Sequence, residues 1–194
     1  MQESIEPSVT PSVEKDAPDR WVYSPNADER SGGEVSLIVL HAISLPPGEF
    51  GGDAIEALFT NQLRPEVHPY FAGIAHLRVS AHFLIRRDGE CVQFVDTQRR
   101  AWHAGRSRWW DARADKWRQA LNDCAIGIEM EGDDMTPFTK AQYFRLATLI
   151  DGLLERYPDI DRSRITSHAY VAPLRKTDPG PAFDWAYLFQ QLSH

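Results

Sequence analysis

A histidine and an aspartate near the C-terminus, His168 and Asp178, are both side chains that bind metal ions. They lie in the segment 166–181, which carries prolines at positions 173, 179 and 181. Proline fixes φ and donates no hydrogen bond, so 173–181 is predicted to be a stiff, extended loop. His168 follows a short β-prone run at 164–166, and little regular structure is expected in 166–181 as a whole. Imidazole and carboxylate together suit zinc. The pair alone is a weak indication, because a lone histidine in a loop is more often a surface residue than a ligand.

A second histidine, His41, follows a run of five residues, 36–40, whose apolar character is typical of a strand buried on both faces. Active sites in sheets covered by helices collect at the carboxyl ends of strands, which is where His41 stands. With His168 and Asp178 it completes a set of three metal ligands, two histidines and one aspartate, which leaves the fourth position of a tetrahedral site open. That pattern is typical of a catalytic zinc site.

Two glutamates in the segment 125–132 are candidates for a general base. Strand alternation puts Ile126, Ile128 and Met130 on one face and Gly127, Glu129 and Glu131 on the other. A carboxylate near the metal can take a proton from water, but alternation does not choose between Glu129 and Glu131 and is equally compatible with an exposed edge. Lys176 is a candidate for stabilising an oxyanion, with an ordinary surface lysine as the alternative.

The composition limits the class of protein. A chain of 194 residues is long enough for one domain, and a net charge of −7 argues against nucleic-acid binding. No apolar stretch reaches the length of a membrane span, and the N-terminus lacks the features of a secretory signal, so we expect a cytoplasmic protein. Cys91 and Cys124 lie in apolar surroundings without a CxxC spacing and are expected to be buried free thiols.

The order of the predicted elements indicates an α/β (α+β) fold, with a mixed central β-sheet flanked by helices. Residues 1–20 are rich in proline and acidic side chains and are predicted to be a disordered tail, with a single domain over 21–194. An Asp-Gly turn predicts a hairpin between strands at 79–85 and 91–95. Helices are expected at 53–60, at 139–157 behind a capping box of Thr139 and Gln142, and from Asp184 onward.

The segment 99–120 holds four of the six tryptophans and seven of the 21 basic residues. Indole rings stack on sugar rings or apolar ligands, and arginine pairs with carboxylates, so the segment could form the rim of a site for an anionic ligand. The equally weighted alternative is a helix over 112–121 that uses its tryptophan as core.

Taken together and in this order, these residues resemble the zinc-dependent N-acetylmuramoyl-L-alanine amidases of the type 2 class, most closely the cytoplasmic AmpD-type members that act on 1,6-anhydro-muramyl peptides. The resemblance runs from about residue 21 to 185 and departs from the family's usual residues at Ala42, near Tyr170 and over 106–121. The segments that carry it are 39–52, 76–82, 84–90, 100–105, 126–132 and 175–185.

The resemblance implies a zinc amidase and assigns roles by position. It implies Zn²⁺ on His41, His168 and Asp178, Glu129 as the base, Lys176 at the oxyanion, and Arg78 at the muramyl sugar with Trp102 as its neighbour. The implied reaction is hydrolysis of the amide between the lactyl group of anhydro-muramic acid and L-alanine during the recycling of wall fragments. We expect a monomer without nucleic-acid or membrane partners. The alternatives are a non-catalytic muropeptide-recognition module of the same fold, an amidase of intact wall, and a zinc peptidase, whose usual His-Glu-x-x-His helix is missing.

Overall fold

The computed structural model describes residues 14–32 and 34–193. The strands are β1 (Arg20–Trp21), β2 (Ala27–Glu29), β3 (Leu37–Ile43), β4 (Phe83–Ile85), β5 (Cys91–Gln93), β6 (Arg99–Ala101), β7 (Arg108–Asp111), β8 (Lys116–Gln119), β9 (Ala125–Glu131) and β10 (Ile165–Ser167). The α-helices are α1 (Ala54–Phe59), α2 (Pro69–Ala72), α3 (Lys140–Arg156), α4 (His168–Val171) and α5 (Trp185–Gln191).

Six strands form the central sheet in the order β1-β5-β4-β9-β3-β10. The β4–β5 pair is antiparallel, as the Asp-Gly turn predicts, and the other neighbours are parallel. The parallel pair β3–β9 matches seven residues to seven, from Leu37 opposite Ala125 to Ile43 opposite Glu131. The predicted mixed sheet with flanking helices is confirmed.

The two faces of the sheet pack different helices. Ile38 and Leu40 of β3 join Ile126, Ile128 and Met130 of β9 in a core that includes the apolar stripe of α3 and Leu188 of α5. On the opposite face, α1 and α2 cover β4 and β5, and a third cluster gathers around Leu37, Val39 and Val171. The odd-numbered residues of β3 and β9 therefore face away from α3, and this parity puts His41 and Glu129 on one side.

The local predictions for two helices are confirmed in detail. The Thr139 side chain accepts from the backbone of Gln142, and Gln142 returns a bond to the backbone of Thr139, so the capping box opens α3 as expected. Asp184 caps α5 by accepting from Tyr187. Cys91 and Cys124 are buried free thiols.

The structure differs from two local expectations: one of the two alternatives for 112–121, and the irregular character expected for 166–181. Residues 112–121 do not form a helix. The antiparallel hairpin β7–β8 occupies most of this range. Trp109 is buried on one face of the hairpin, and Trp110 and Trp117 are exposed on the other face. The segment 166–181 is also more regular than predicted: β10 passes directly into α4, whose first residue is His168, and turns follow. Ser167 caps α4 by accepting from the backbone of Tyr170, a local bond that favours helix here.

The predicted tail falls partly outside the described residues, which begin at Glu14. Asp16 is buried against Gly152 of α3, where an added Cβ would lie 2.5 Å from the Asp16 nitrogen, and Arg156 of α3 contacts both Glu14 and Asp16. These contacts lie on the N-terminal side of the domain boundary predicted at residue 21. Among the described residues, no helix has the length and apolar character that a bilayer crossing demands.

Candidate metal and catalytic site

Three side chains that the sequence analysis singled out converge at one end of the sheet. His41 Nδ1 lies 2.9 Å from His168 Nδ1 and 3.3 Å from Asp178 Oδ2, and His168 Nδ1 lies 3.0 Å from the same oxygen. Both imidazoles are buried and the carboxylate is mostly so. Within the described part of the chain, these three form the cluster that can hold a metal ion.

The fold explains why they meet. His41 lies near the carboxyl end of β3, and β10 runs parallel beside β3, so the residue after β10, His168, emerges at the same edge. A backbone hydrogen bond of 2.9 Å, from the amide of Ala169 to the carbonyl of Asp178, brings the following turn back over α4. Gly180 keeps this turn close to Asp134, because a Cβ there would lie 2.3 Å from the Asp134 Cα.

The electrostatics of the three groups fit a cation. Burial lowers the pKa of His41 to about 4, so its ring is neutral at pH 7 and has a lone pair to donate. Burial raises the pKa of Asp178, but hydrogen bonds from His168 and His41 outweigh it and hold the pKa well below its usual value. Two imidazole nitrogens and an ionised carboxylate oxygen facing one another are a donor set that suits Zn²⁺.

Glu129 lies beside the cluster and is not used by the fold. It is the strand partner of His41 in the β3–β9 register, is buried, and its Oε2 has no hydrogen-bond partner among the described residues. Burial and the charge of Asp178 raise the pKa of Glu129 well above its ordinary value, opposed by Lys176. A buried carboxyl group with an unused oxygen is free to exchange a proton with a ligand.

Glu131, the other candidate, has a structural function. Its two carboxylate oxygens accept from the backbone amides of Gly51, at 2.6 Å, and Arg87, at 3.0 Å. The carboxylate thus fastens two loops to the end of β9. The structure therefore separates two glutamates that strand alternation alone treats as equivalent.

The cluster and Glu129 line a cavity of about 730 Å³. Lys176 and Trp102 also line it, and the Trp102 indole nitrogen donates to Asp28 at 3.1 Å. Arg78 is placed differently: its neighbours Leu77 and Val79 line the cavity, whereas its own exposed side chain donates to the carbonyls of His76 and Leu77 at 3.3 Å. The cavity is large enough for a ligand of several hundred daltons.

Comparisons with known proteins identify the family of the chain. The family model described as N-acetylmuramoyl-L-alanine amidase matches residues 31–181. The chain belongs to the N-acetylmuramoyl-L-alanine amidase family. It is 56% identical, over 168 residues and 86% of both chains, to 1,6-anhydro-N-acetylmuramyl-L-alanine amidase AmpD of Citrobacter freundii.

Two solved structures of amidases are similar to this one. A crystal structure of a selenomethionine derivative of AmpD superposes with a TM-score of 0.86 at 52% identity, covering 93% of this chain and 98% of the other. The Escherichia coli amidase AmiD, in complex with the substrate anhydro-N-acetylmuramic acid-L-Ala-D-gamma-Glu-L-Lys, superposes with a TM-score of 0.58 at 28% identity, covering 83% of this chain and 59% of that one. This family member is therefore an amidase in sequence and in fold.

One residue of this amidase site, His103, was not singled out by sequence reasoning. It follows β6, is buried, lines the cavity, and its Nδ1 lies 3.0 Å from Nε2 of His41. Burial and the neighbouring His41 lower the pKa of His103 well below its ordinary value. The sequence pattern around position 103 does not show that the side chain points inward. The preceding strand, β6, is only three residues long, and its side chains change from exposed to buried within that length.

Proposed function

We propose that this amidase hydrolyses the amide between the lactyl group of 1,6-anhydro-N-acetylmuramic acid and the L-alanine of the stem peptide, using zinc held by His41, His168 and Asp178. The observation that carries the proposal is the convergence of these three ligands beside the unpartnered carboxyl of Glu129 in one cavity. The substrate is inferred from the activity named for the relative that is 56% identical, the AmpD amidase of Citrobacter freundii.

The residues divide the chemistry among them. When bound, zinc supplies Lewis-acid polarisation and lowers the pKa of water towards neutrality. Glu129 takes the proton of the attacking water at its unpartnered Oε2 and returns it to the nitrogen of the leaving L-alanine. The ammonium of Lys176, at the wall of the cavity, stabilises the negative charge that develops on the carbonyl oxygen.

The protonation state of Glu129 is compatible with this role. Its raised pKa reflects burial and the uncompensated charge of Asp178. A divalent cation on Asp178 reverses the sign of that neighbouring charge and favours the carboxylate, which is the form that accepts a proton. The same carboxyl group then becomes a general acid once it has taken the proton.

The substrate occupies the cavity around the reacting atoms. Trp102 offers an aromatic face of the kind that packs on a sugar ring, and Arg78 lies on the same segment as the lining residues Leu77 and Val79. We assign both to contacts with the muramyl sugar, Arg78 after a change of rotamer. The amidase acts as a monomer in the cytoplasm, and its buried thiols, Cys91 and Cys124, suit a reducing compartment.

The test is hydrolysis of anhydro-muramyl tripeptide beside intact peptidoglycan, with and without a chelator, following the released peptide. The proposal expects chelator-sensitive cleavage of the small substrate, restoration by added zinc, and little release from intact wall. Faster release from intact wall would instead make it a wall amidase. Binding without cleavage by the zinc-loaded protein would make it a recognition module.

A further inference from the structure

The imidazole of His103 lies directly behind one of the proposed metal ligands. His41 presents its Nδ1 to His168 and Asp178, while its other nitrogen, Nε2, lies 3.0 Å from Nδ1 of His103. The two rings meet edge to face, with centroids 5.1 Å apart and planes at 90°. His103 therefore contacts His41 on the side away from the metal-binding atoms.

The fold provides space for this ring and holds it from two sides. A Cβ on Gly127 of β9 would lie 2.4 Å from Cγ of His103, so the absence of a side chain there is what admits the imidazole. The backbone amides of His103 and Ala104 both donate to Oδ1 of Asn122, at 3.2 and 2.8 Å. Asn122 therefore fixes the backbone from which the ring projects, and Gly127 leaves the space that the ring fills beside His41.

The hydrogen bonds of His103 indicate what the imidazole is for. Within the described part of the chain, its side chain makes one hydrogen bond, the one to His41, and its own Nε2 is buried without a partner. An apolar side chain would fill the same space and bury no unpaired nitrogen, and would therefore be preferred if packing were the only requirement. The hydrogen bond to His41 is therefore the polar contact that explains a histidine at position 103.

We propose that His103 is a positioning residue for His41. With His41 Nδ1 donating its lone pair to the metal, the proton lies on Nε2 and is donated to Nδ1 of His103, which fixes the tautomer and the orientation of the ligand ring. This inference rests on the proposed metal-binding function of His41. It adds a residue that lies outside the proposed set of metal ligands and acts through one of them, His41.

The test compares two variants of equal shape, His103→Leu and His103→Asn. Leucine and asparagine have the same number of side-chain heavy atoms and the same branching, but only asparagine offers an acceptor near the position of Nδ1. The zinc dissociation constant of each is measured by competition with a chromophoric chelator. In the zinc-loaded proteins, proton NMR follows the Nε2 proton of His41.

His103→Leu should weaken zinc binding about 10- to 100-fold, the range found when the second partner of a metal-ligating histidine is removed. The His41 Nε2 proton should move upfield, and His103→Asn should recover most of both losses. Equal zinc affinity in the parent and His103→Leu, with an unchanged Nε2 proton, would overturn the inference. Absence of zinc binding by the parent would instead overturn the proposed function on which it rests.

Gly127→Ala provides a variant that keeps the imidazole but removes its space. The added Cβ conflicts with the ring of His103, so zinc affinity should fall here as well, although no polar atom has been removed. Circular dichroism of each variant establishes that it is folded before zinc is added. Parent-like zinc affinity in folded Gly127→Ala would contradict the proposed dependence on the position of the ring.

Discussion

Replacing Glu129 by glutamine should lower turnover by several orders of magnitude while leaving zinc binding intact. Glutamine has the shape of glutamate but no basic oxygen, and Glu129 is not among the three clustered ligands. General base catalysis contributes about 10²- to 10⁴-fold, which corresponds to about 3–5 kcal/mol of barrier. We expect the upper part of this range, because Glu129 is buried and, among the described residues that line the cavity, no other buried carboxyl oxygen lacks a hydrogen-bond partner.

The assay measures peptide release from anhydro-muramyl tripeptide by chromatography, with the zinc content of each sample determined in parallel. The matched control is Glu131→Gln, two residues along the same strand and on the same face. Since Glu131 accepts from the Gly51 and Arg87 amides, this change should lower stability and leave most of the rate per folded molecule. Parent-like turnover by zinc-loaded Glu129→Gln would refute the assignment of the base.

Two further predictions concern stability. Asp111→Asn should lower the free energy of unfolding by about 3–5 kcal/mol, because it leaves the buried guanidinium of Arg164, 2.6 Å from the carboxylate, without its counter-charge. The melting temperature should fall by about 10 °C, and an unchanged melting temperature would contradict the assigned contribution of this buried pair. Burial lowers the pKa of His82 to about 3, below its ordinary value of 6.5, so its contribution to stability is complete above pH 6.5 and is lost as the pH falls towards 3. In urea unfolding of the chelator-treated protein, this group should lower the free energy of unfolding by up to about 1.4 kcal/mol per pH unit below pH 6.5. If the free energy of unfolding of His82→Gln depended on pH as steeply as that of the parent, the assignment would be contradicted.

Sequence reasoning succeeded where the local pattern and the tertiary structure agree. The apolar run before His41, the alternation around Glu129 and the capping box at Thr139 each specify an element without reference to distant residues, and each is found in the structure. The strand before His168 is only three residues long, and its parallel pairing with β3 brings His168 to the same edge as His41. The cluster of His41, His168 and Asp178 follows from these placements.

Sequence reasoning failed where the local structure depends on contacts with residues far along the chain. The 112–121 segment has helix-forming residues, yet it pairs as a hairpin because Asp111 and Trp109 are fixed by buried contacts with Arg164, which lies far along the chain. His103 is likewise invisible to pattern, since its orientation is set by the space above Gly127. Neither contact leaves a periodic trace in the sequence.

The direct pairing of His41 with Glu129 on neighbouring parallel strands has a consequence for how such an enzyme can be altered. The spacing between the two side chains is set by one step between adjacent strands, roughly 4.8 Å, rather than by any connecting segment. A change in the length of a loop at the cavity therefore leaves the distance between His41 and Glu129 unchanged as long as the two strands stay paired. An engineer seeking a new muropeptide preference should therefore leave this pair of strand residues unchanged and vary other residues that line the cavity.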